Sequence, residues 1–336
     1  MATADQLKAL LRSHIDGDNR HFYSVAMQMA AHEARQGHGR LAEELRELID
    51  AAKARRSAVE ASPTAAVPIA RPKGELASLL SVSYPAQRLS DMVLSPDVSQ
   101  RLQQVLKEQR HMTKLRTHGL QPRRKVLLVG PSGTGKTMTA AALAGELGIP
   151  LFVVRLDSLI TKFMGETAAK LRQVFDAVQA TRGVYFFDEF DAIGGQRGLT
   201  NDVGEVRRIL NSFLLMIEQD ESVSVIVAAT NHPEILDQAL FRRFDDVIEY
   251  RVPSNDEIRD LLRVRLARYM PNGKAYGPIA DAASGLSHAD ITRAIDDTVK
   301  DAVMHDANGV TPAALMAQVQ QRQTMRQRAS GDVGAR

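Results

Sequence analysis

Short runs dominated by apolar residues alternate with longer helical stretches over the middle of the chain. The runs are KVLLV (125–129), LFVV (151–154), VYFF (184–187), VSVIVAA (223–229) and VIEYR (247–251). Continuous apolar runs of strand length belong to strands covered on both faces. Helical segments between them predict a parallel sheet wound with helices, an α/β fold. After Pro253 the pattern is helical only, over 255–269, 288–305 and 311–323.

The first 56 residues carry a different pattern. Leu41, Leu45, Leu48 and Ile49 share one helical stripe, and Gly17, Gly37 and Gly39 punctuate three short segments. This predicts a small all-α N-terminal module over 1–56. The stretch SAVEASPTAAVPIARPKGE (57–75) has no period and is rich in Ala, Pro and small polar residues. Such a composition reads as a linker, placed over 57–83. The expected order is therefore helical module (1–56), linker (57–83), α/β domain (84–252), small helical subdomain (253–320) and a frayed polar tail (321–336).

Composition changes this picture by exclusion. With 44% hydrophobic and 25% charged residues the chain reads as an ordinary globular protein, and a net charge of +3 calls for no nucleic-acid partner. It has no cysteine, so disulfides, thiolate metal sites and cysteine nucleophiles are out, and a cytoplasmic location is expected. No apolar run approaches the ~20 residues that span a bilayer, and the N-terminus shows no apolar signal region, so no membrane association is expected.

The chemistry begins at GPSGTGKT (130–137), which fits G-x-x-x-x-G-K-[ST]. It follows a strand and opens the alanine-rich helix TMTAAALAGEL, as phosphate binding requires. Gly130, Gly133 and Gly135 let backbone N–H groups curl around phosphates, Lys136 supplies a cation, and the Thr137 hydroxyl can ligate Mg²⁺. A second element should bring acids to a strand end, and VYFFDEFDAIG (184–194) does so. There Asp188 would hold Mg²⁺ and Glu189 would polarise the attacking water. Together the two motifs predict hydrolysis of ATP or GTP, with Mg²⁺ as the metal.

Residues 155–180 leave two readings open. Leu156, Leu159, Ile160 and Phe163 fall on one stripe, which suits a single core-packed helix. Gly165 interrupts it, however, and a second stripe (Leu171, Val174, Phe175, Val178) begins only after Thr167, so two helices joined by a loop fit equally well.

GPSGTGKT, VYFFDEFDAIG, VIVAATNHPEILDQALFRRFD and ASGLSHADI occur in the order and spacing of the AAA clade of the AAA+ superfamily. The chain resembles the ATPases of katanin and spastin type over roughly residues 84–320. The resemblance implies a P-loop NTPase sheet followed by a helical lid, with ATP as the nucleotide. It implies nucleotide contacts at Gly130, Ser132, Gly133, Thr134, Gly135, Lys136, Thr137 and Met138, with Asp91, Met92 and Ala289 framing adenine. Asn231 would orient water near the γ-phosphate; the alternative is a cap on the Asn-His-Pro turn. Arg242 and Arg243 resemble arginine fingers that reach a neighbour's nucleotide, against the alternative of ion pairs with Asp245 or Asp246. Which arginine leads stays open.

The match also implies an ATP-promoted homo-oligomer, a hexameric ring. Phe163-Met164-Gly165-Glu166 resembles the aromatic pore loop that grips polypeptide in such rings, and 194–205, with Arg197, lies at the second pore-loop position. Substrate or adaptor would be selected by the N-terminal helices. The chain departs from the family at Ser132, where a second proline is usual, and at His288, which replaces a lid glycine. The expected function is a ring motor that pulls a protein substrate through a central pore. The alternatives are a regulatory ATPase switching a separate protease or toxin, a DNA remodeller, and a non-hydrolysing scaffold.

Overall fold

The computed structural model describes residues 43, 72, 74–159, 164–190, 203–235, 238–270, 276–307 and 309–329. The chain divides into two units, Met1–Pro68 and Ile69–Arg336, and every element named below lies in the second. The expected N-terminal helices, Phe163 and most of the second pore-loop segment (194–202) fall outside the described residues.

Six strands form one sheet in the order β1-β3-β4-β5-β2-β6. They are β1 (Leu80–Ser83), β2 (Lys125–Val129), β3 (Leu151–Val154), β4 (Val184–Phe187), β5 (Val225–Thr230) and β6 (Asp246–Glu249). All neighbours are parallel except β1, which runs antiparallel to β3 at the edge. β2, β4 and β5 are buried at every position. Their apolar runs have no alternation because both faces are covered.

Each strand still sends alternate residues to opposite faces. On one face Leu127, Val129, Tyr185, Phe187, Ile226 and Ala228 meet α6 (Met164–Ala180) and α7 (Val203–Gln219) through Leu171, Val174, Phe213 and Ile217. On the other face Val126, Leu128, Val184, Phe186, Val225 and Val227 meet α2 (Pro96–Arg110) and α4 (Lys136–Leu147) through Leu102, Val105, Ala140 and Leu143. Each such large side chain, fully buried, contributes roughly 1.5–3 kcal/mol. The predicted α/β fold with helices on both faces is the one found.

A separate apolar cluster holds the C-terminal helices α9 (Asn255–Leu266), α10 (Tyr276–Ala282), α11 (His288–Met304) and α12 (Pro312–Ala329). α9 starts at a capping box in which Ser254 accepts from the Glu257 N–H and the Glu257 carboxylate accepts from the Ser254 N–H. Ser287 caps α11 in the same position, accepting from the Asp290 N–H.

The structure changes two expectations and decides between two open readings. The linker does not extend to residue 83: α1 (Leu76–Leu79) and β1 occupy its end. β1 is short and carries serines at alternate positions, so it leaves no apolar run to read. The tail does not fray from 321, because α12 runs to Ala329. Arg322 pairs with Asp297 at 2.6 Å, and the Gln323 amide donates to the carbonyls of Ala282 and Ser284 at 3.1 and 2.8 Å. The stretch 155–180 is two helices, α5 (Leu156–Leu159) and α6, and Met164 opens the second. The remaining short helices are α3 (Met112–Thr117) and α8 (Gln238–Phe241).

Candidate functional site

In a parallel sheet the strand C-termini share one edge, and the connections that leave it form the crevice where ligands bind. Here that edge carries the loop after β2, the acids after β4 and Asn231 after β5.

The loop after β2 runs from Gly130 to Gly135, the N-cap of α4. Gly130 has φ 140°, and a Cβ there would lie 2.1 Å from the Tyr250 carbonyl oxygen, so no side chain fits. Gly135, at φ 104°, turns the chain into α4. Lys136 is buried, and its ammonium donates to the carbonyls of Gly130 and Pro131 at 2.7 and 2.8 Å and to Asn231 Oδ1 at 2.8 Å. The last contact follows from register: Val129 pairs with Thr230, which sets Asn231 beside the loop.

The acids after β4 are held by aromatics on either side. Phe187 and Phe190 are fully buried against Phe213 of α7, with ring centroids 5.0 and 4.4 Å away, and they anchor the turn that contains Asp188 and Glu189. Asp188 Oδ2 accepts from the Thr137 hydroxyl at 2.8 Å, and Asp188 Oδ1 accepts from the Glu189 N–H at 2.9 Å. Glu189 is exposed and has φ 49°, a left-handed conformation that costs a non-glycine residue about 1–3 kcal/mol. The tight turn imposes that strain at the residue expected to activate water.

The residues expected at the base end converge on the same loop. The Met92 methyl group is 3.3 Å from where a Gly135 Cβ would stand. The Ala289 N–H, in the first turn of α11, donates to the Gly133 carbonyl at 3.0 Å. Met138 and Ser132 are exposed. Thr134 is buried, and its hydroxyl donates to the Pro131 carbonyl at 2.8 Å, so it shapes the loop. Asp91 uses its carboxylate to accept the Arg88 N–H at 2.8 Å, which fixes the short helix over Leu89–Asp91. His288 lines a cavity of about 640 Å³ with Val93, Thr134, Tyr250 and Glu257. Burial pushes its imidazole below the ordinary 6.5, with the Glu257 charge partly opposing.

Arg242 and Arg243 do not join this cluster. They precede β6, and Asp246 at its start pairs with Val126 near the start of β2. The phosphate loop leaves the far end of β2, about 13 Å along the strand at ~3.3 Å per residue. Arg243 pairs with Glu218 of α7 at 3.2 Å, and Arg242 is exposed. The alternative partners are engaged elsewhere. Asp245 accepts the backbone N–H groups of Arg124 and Lys125 at 2.8 and 2.9 Å, and Asp246 pairs with Arg101 and Arg123.

The sequence reading missed Tyr250, whose carbonyl sets the glycine requirement at Gly130. It is far away in sequence, and nothing local marks it.

Residues 126–252 match the family model described as "ATPase family associated with various cellular activities (AAA)". An AAA family ATPase of Sinorhizobium fredii, y4kL, is 35% identical over 302 residues, covering 89% of each chain. The chain belongs to the AAA family of ATPases. Two further relatives of this AAA ATPase are named as ATP-dependent zinc metalloproteases. FtsH 3 of Sphaerobacter thermophilus is 31% identical, over 72% of this chain and 51% of its own length. FtsH of Methylibium petroleiphilum is 38% identical, over 56% of this chain and 32% of its own length. The AAA ATPase thus spans about half of the first protease and about a third of the second. Among its described residues no three His, Cys, Asp or Glu side chains converge as a metal site, and no helix is long and apolar enough to cross a membrane.

Proposed function

We propose that this AAA ATPase hydrolyses ATP at the β2–β4–β5 edge and works as a ring, a hexamer, that pulls polypeptide through its channel. The observation that carries the reading is the convergence of four groups from three strands: Lys136 on Asn231, and Thr137 on Asp188. Lys136 would exchange its carbonyl partners for β- and γ-phosphate oxygens. Thr137 and Asp188 would hold Mg²⁺; two adjacent hard oxygen donors suit an ion that takes its remaining ligands from phosphates and water. The ion would neutralise developing charge. Glu189 takes a proton from the attacking water, and Asn231 orients that water.

Arg242 and Arg243 stand at the opposite sheet edge, so they act in trans on a neighbour's γ-phosphate. Hydrolysis then requires assembly. Phe163 and Met164 would face the channel and grip substrate by apolar contact that is indifferent to sequence. The N-terminal helices would choose the substrate or adaptor.

The test is Glu189→Gln. It should bind ATP with unchanged affinity, lose about 10²–10⁴-fold in turnover, and persist with ATP as a ring measurable by light scattering, with substrate protein trapped in it. Wild-type turnover would remove Glu189 as the base. A monomer with ATP bound would remove the ring.

A further inference from the structure

The phosphate loop is held from behind by a residue that neither motif contains. Tyr250 follows β6, is 3% exposed, and touches the loop at both ends. At the start of the loop its N–H donates to the Val129 carbonyl at 2.7 Å, and its own carbonyl occupies the space where a Gly130 Cβ would stand. At the far end its hydroxyl lies 2.6 Å from Thr139 Oγ1, and Thr139 is fully buried in the second turn of α4. Thr139 Oγ1 is in turn 3.1 Å from the Gly135 carbonyl, which also accepts the Thr139 backbone N–H at 2.9 Å.

The proton count settles the direction of this chain. A carbonyl only accepts, so Thr139 donates to Gly135. Its single hydroxyl proton is then used, so Tyr250 must be the donor to Thr139. Burial raises the Tyr250 phenol to about 12, which keeps that proton in place at any working pH.

The Gly135 carbonyl belongs to the same planar peptide unit as the Lys136 N–H. In a trans peptide the two groups point in opposite directions, and there is no cis peptide bond among the described residues. A carbonyl tied inward to Thr139 therefore aims the Lys136 N–H outward, from the first turn of α4 toward the space the loop encloses. Helix N-termini bind phosphate through N–H groups so placed.

We propose that Tyr250 and Thr139 are positioning residues for phosphate binding: the chain Tyr250 O–H to Thr139 O–H to Gly135 C=O fixes the peptide whose N–H faces the nucleotide. This rests on the phosphate-site reading above. The two hydroxyls touch no phosphate themselves. They act by adding a second donor to a carbonyl that the Thr139 N–H already holds, which stiffens one peptide plane, so their effect falls on nucleotide affinity more than on the chemical step, for which Glu189 and Asn231 are responsible.

The experiment compares Tyr250→Phe, Thr139→Val and the double variant in the full-length chain, each with ADP titration calorimetry, ATP kinetics and a melting temperature without nucleotide. Each single variant should weaken ADP binding about three- to tenfold, the size of one lost hydrogen bond, and raise the KM for ATP more than it lowers kcat. The double variant should be no weaker than the worse single variant, because a chain broken at one link is already broken. A purely structural hydroxyl pair would lower the melting temperature and leave ADP affinity and KM where they were, which would overturn the proposal. Strict additivity of the two single effects would overturn it as well. Lys136→Ala serves as the control on the underlying reading. If that variant binds ADP normally, the phosphate site and this inference fall together. If it loses ADP while Tyr250→Phe binds normally, only the hydroxyl chain falls.

Discussion

The phosphate end and the base end of the nucleotide site are built on different principles. At the phosphate end the groups proposed to bind are backbone N–H groups, one ammonium and two side-chain oxygens, all at the edge of a sheet buried on both faces. Their positions follow from strand register: Lys136 reaches Asn231 because β2 lies against β5. At the base end the same loop meets the lid, which has an apolar cluster of its own. There the contacts are a backbone hydrogen bond from Ala289 to Gly133 and the packing of Ser287, Ala289 and Met92 against glycines without side chains. The first arrangement depends on charged and polar groups set by strand register, the second on close packing and one backbone hydrogen bond.

Substitutions can break or sharpen this contrast. The largest effect is expected for Lys136→Ala. It removes the cation proposed to meet the phosphates, and ATP affinity measured by calorimetry should fall at least about 100-fold, since charged hydrogen bonds are worth ~1.5–3 kcal/mol each and the ammonium makes several. Unchanged affinity would remove the phosphate assignment. An intermediate effect is expected where the two ends touch. Gly133→Ala would place a Cβ 2.6 Å from Ser287 Oγ and 3.0 Å from the Ala289 methyl, at φ +76°. The strain, about 1–3 kcal/mol, should push the lid from the loop and appear as faster amide exchange in the first turn of α11. Exchange at the wild-type rate would show that the lid does not rest on Gly133.

The smallest effect is expected at His288. Burial holds its folded value below the ordinary 6.5, so the unfolded chain binds the proton more tightly. Stability therefore falls as pH drops through about 6.5 and is fully present above it. In His288→Gln the slope of unfolding free energy against pH between 5 and 7 should be smaller than in the wild type. An identical slope would mean that His288 stays accessible to protons in the folded lid.

The legible part of this protein corresponds closely to the phosphate end. The glycines, Lys136, Thr137, Asp188 and Glu189 sit in two contiguous segments, each after an apolar run, because backbone curvature and strand ends are local properties of sequence. The lid helices α9 and α11 were readable from their period. The edge strand β1 was not, since Leu80 and Val82 between serines make too short a signal. The continuation of α12 was not either, because it depends on Asp297 of α11 and on the carbonyls of Ala282 and Ser284 at and just after the end of α10.

The sequence by itself determined the parallel α/β fold, through apolar runs that each mark one strand, and the phosphate loop and the acid pair, each written within a dozen neighbouring residues. Only the tertiary structure decided what lies behind and beside them. Tyr250 closes on Gly130 and Thr139, Asp91 is spent on a cap, and Arg242 and Arg243 stand across the sheet from their own loop. These are contacts between segments far apart in the chain, and packing of the whole sheet, not local preference, chooses them.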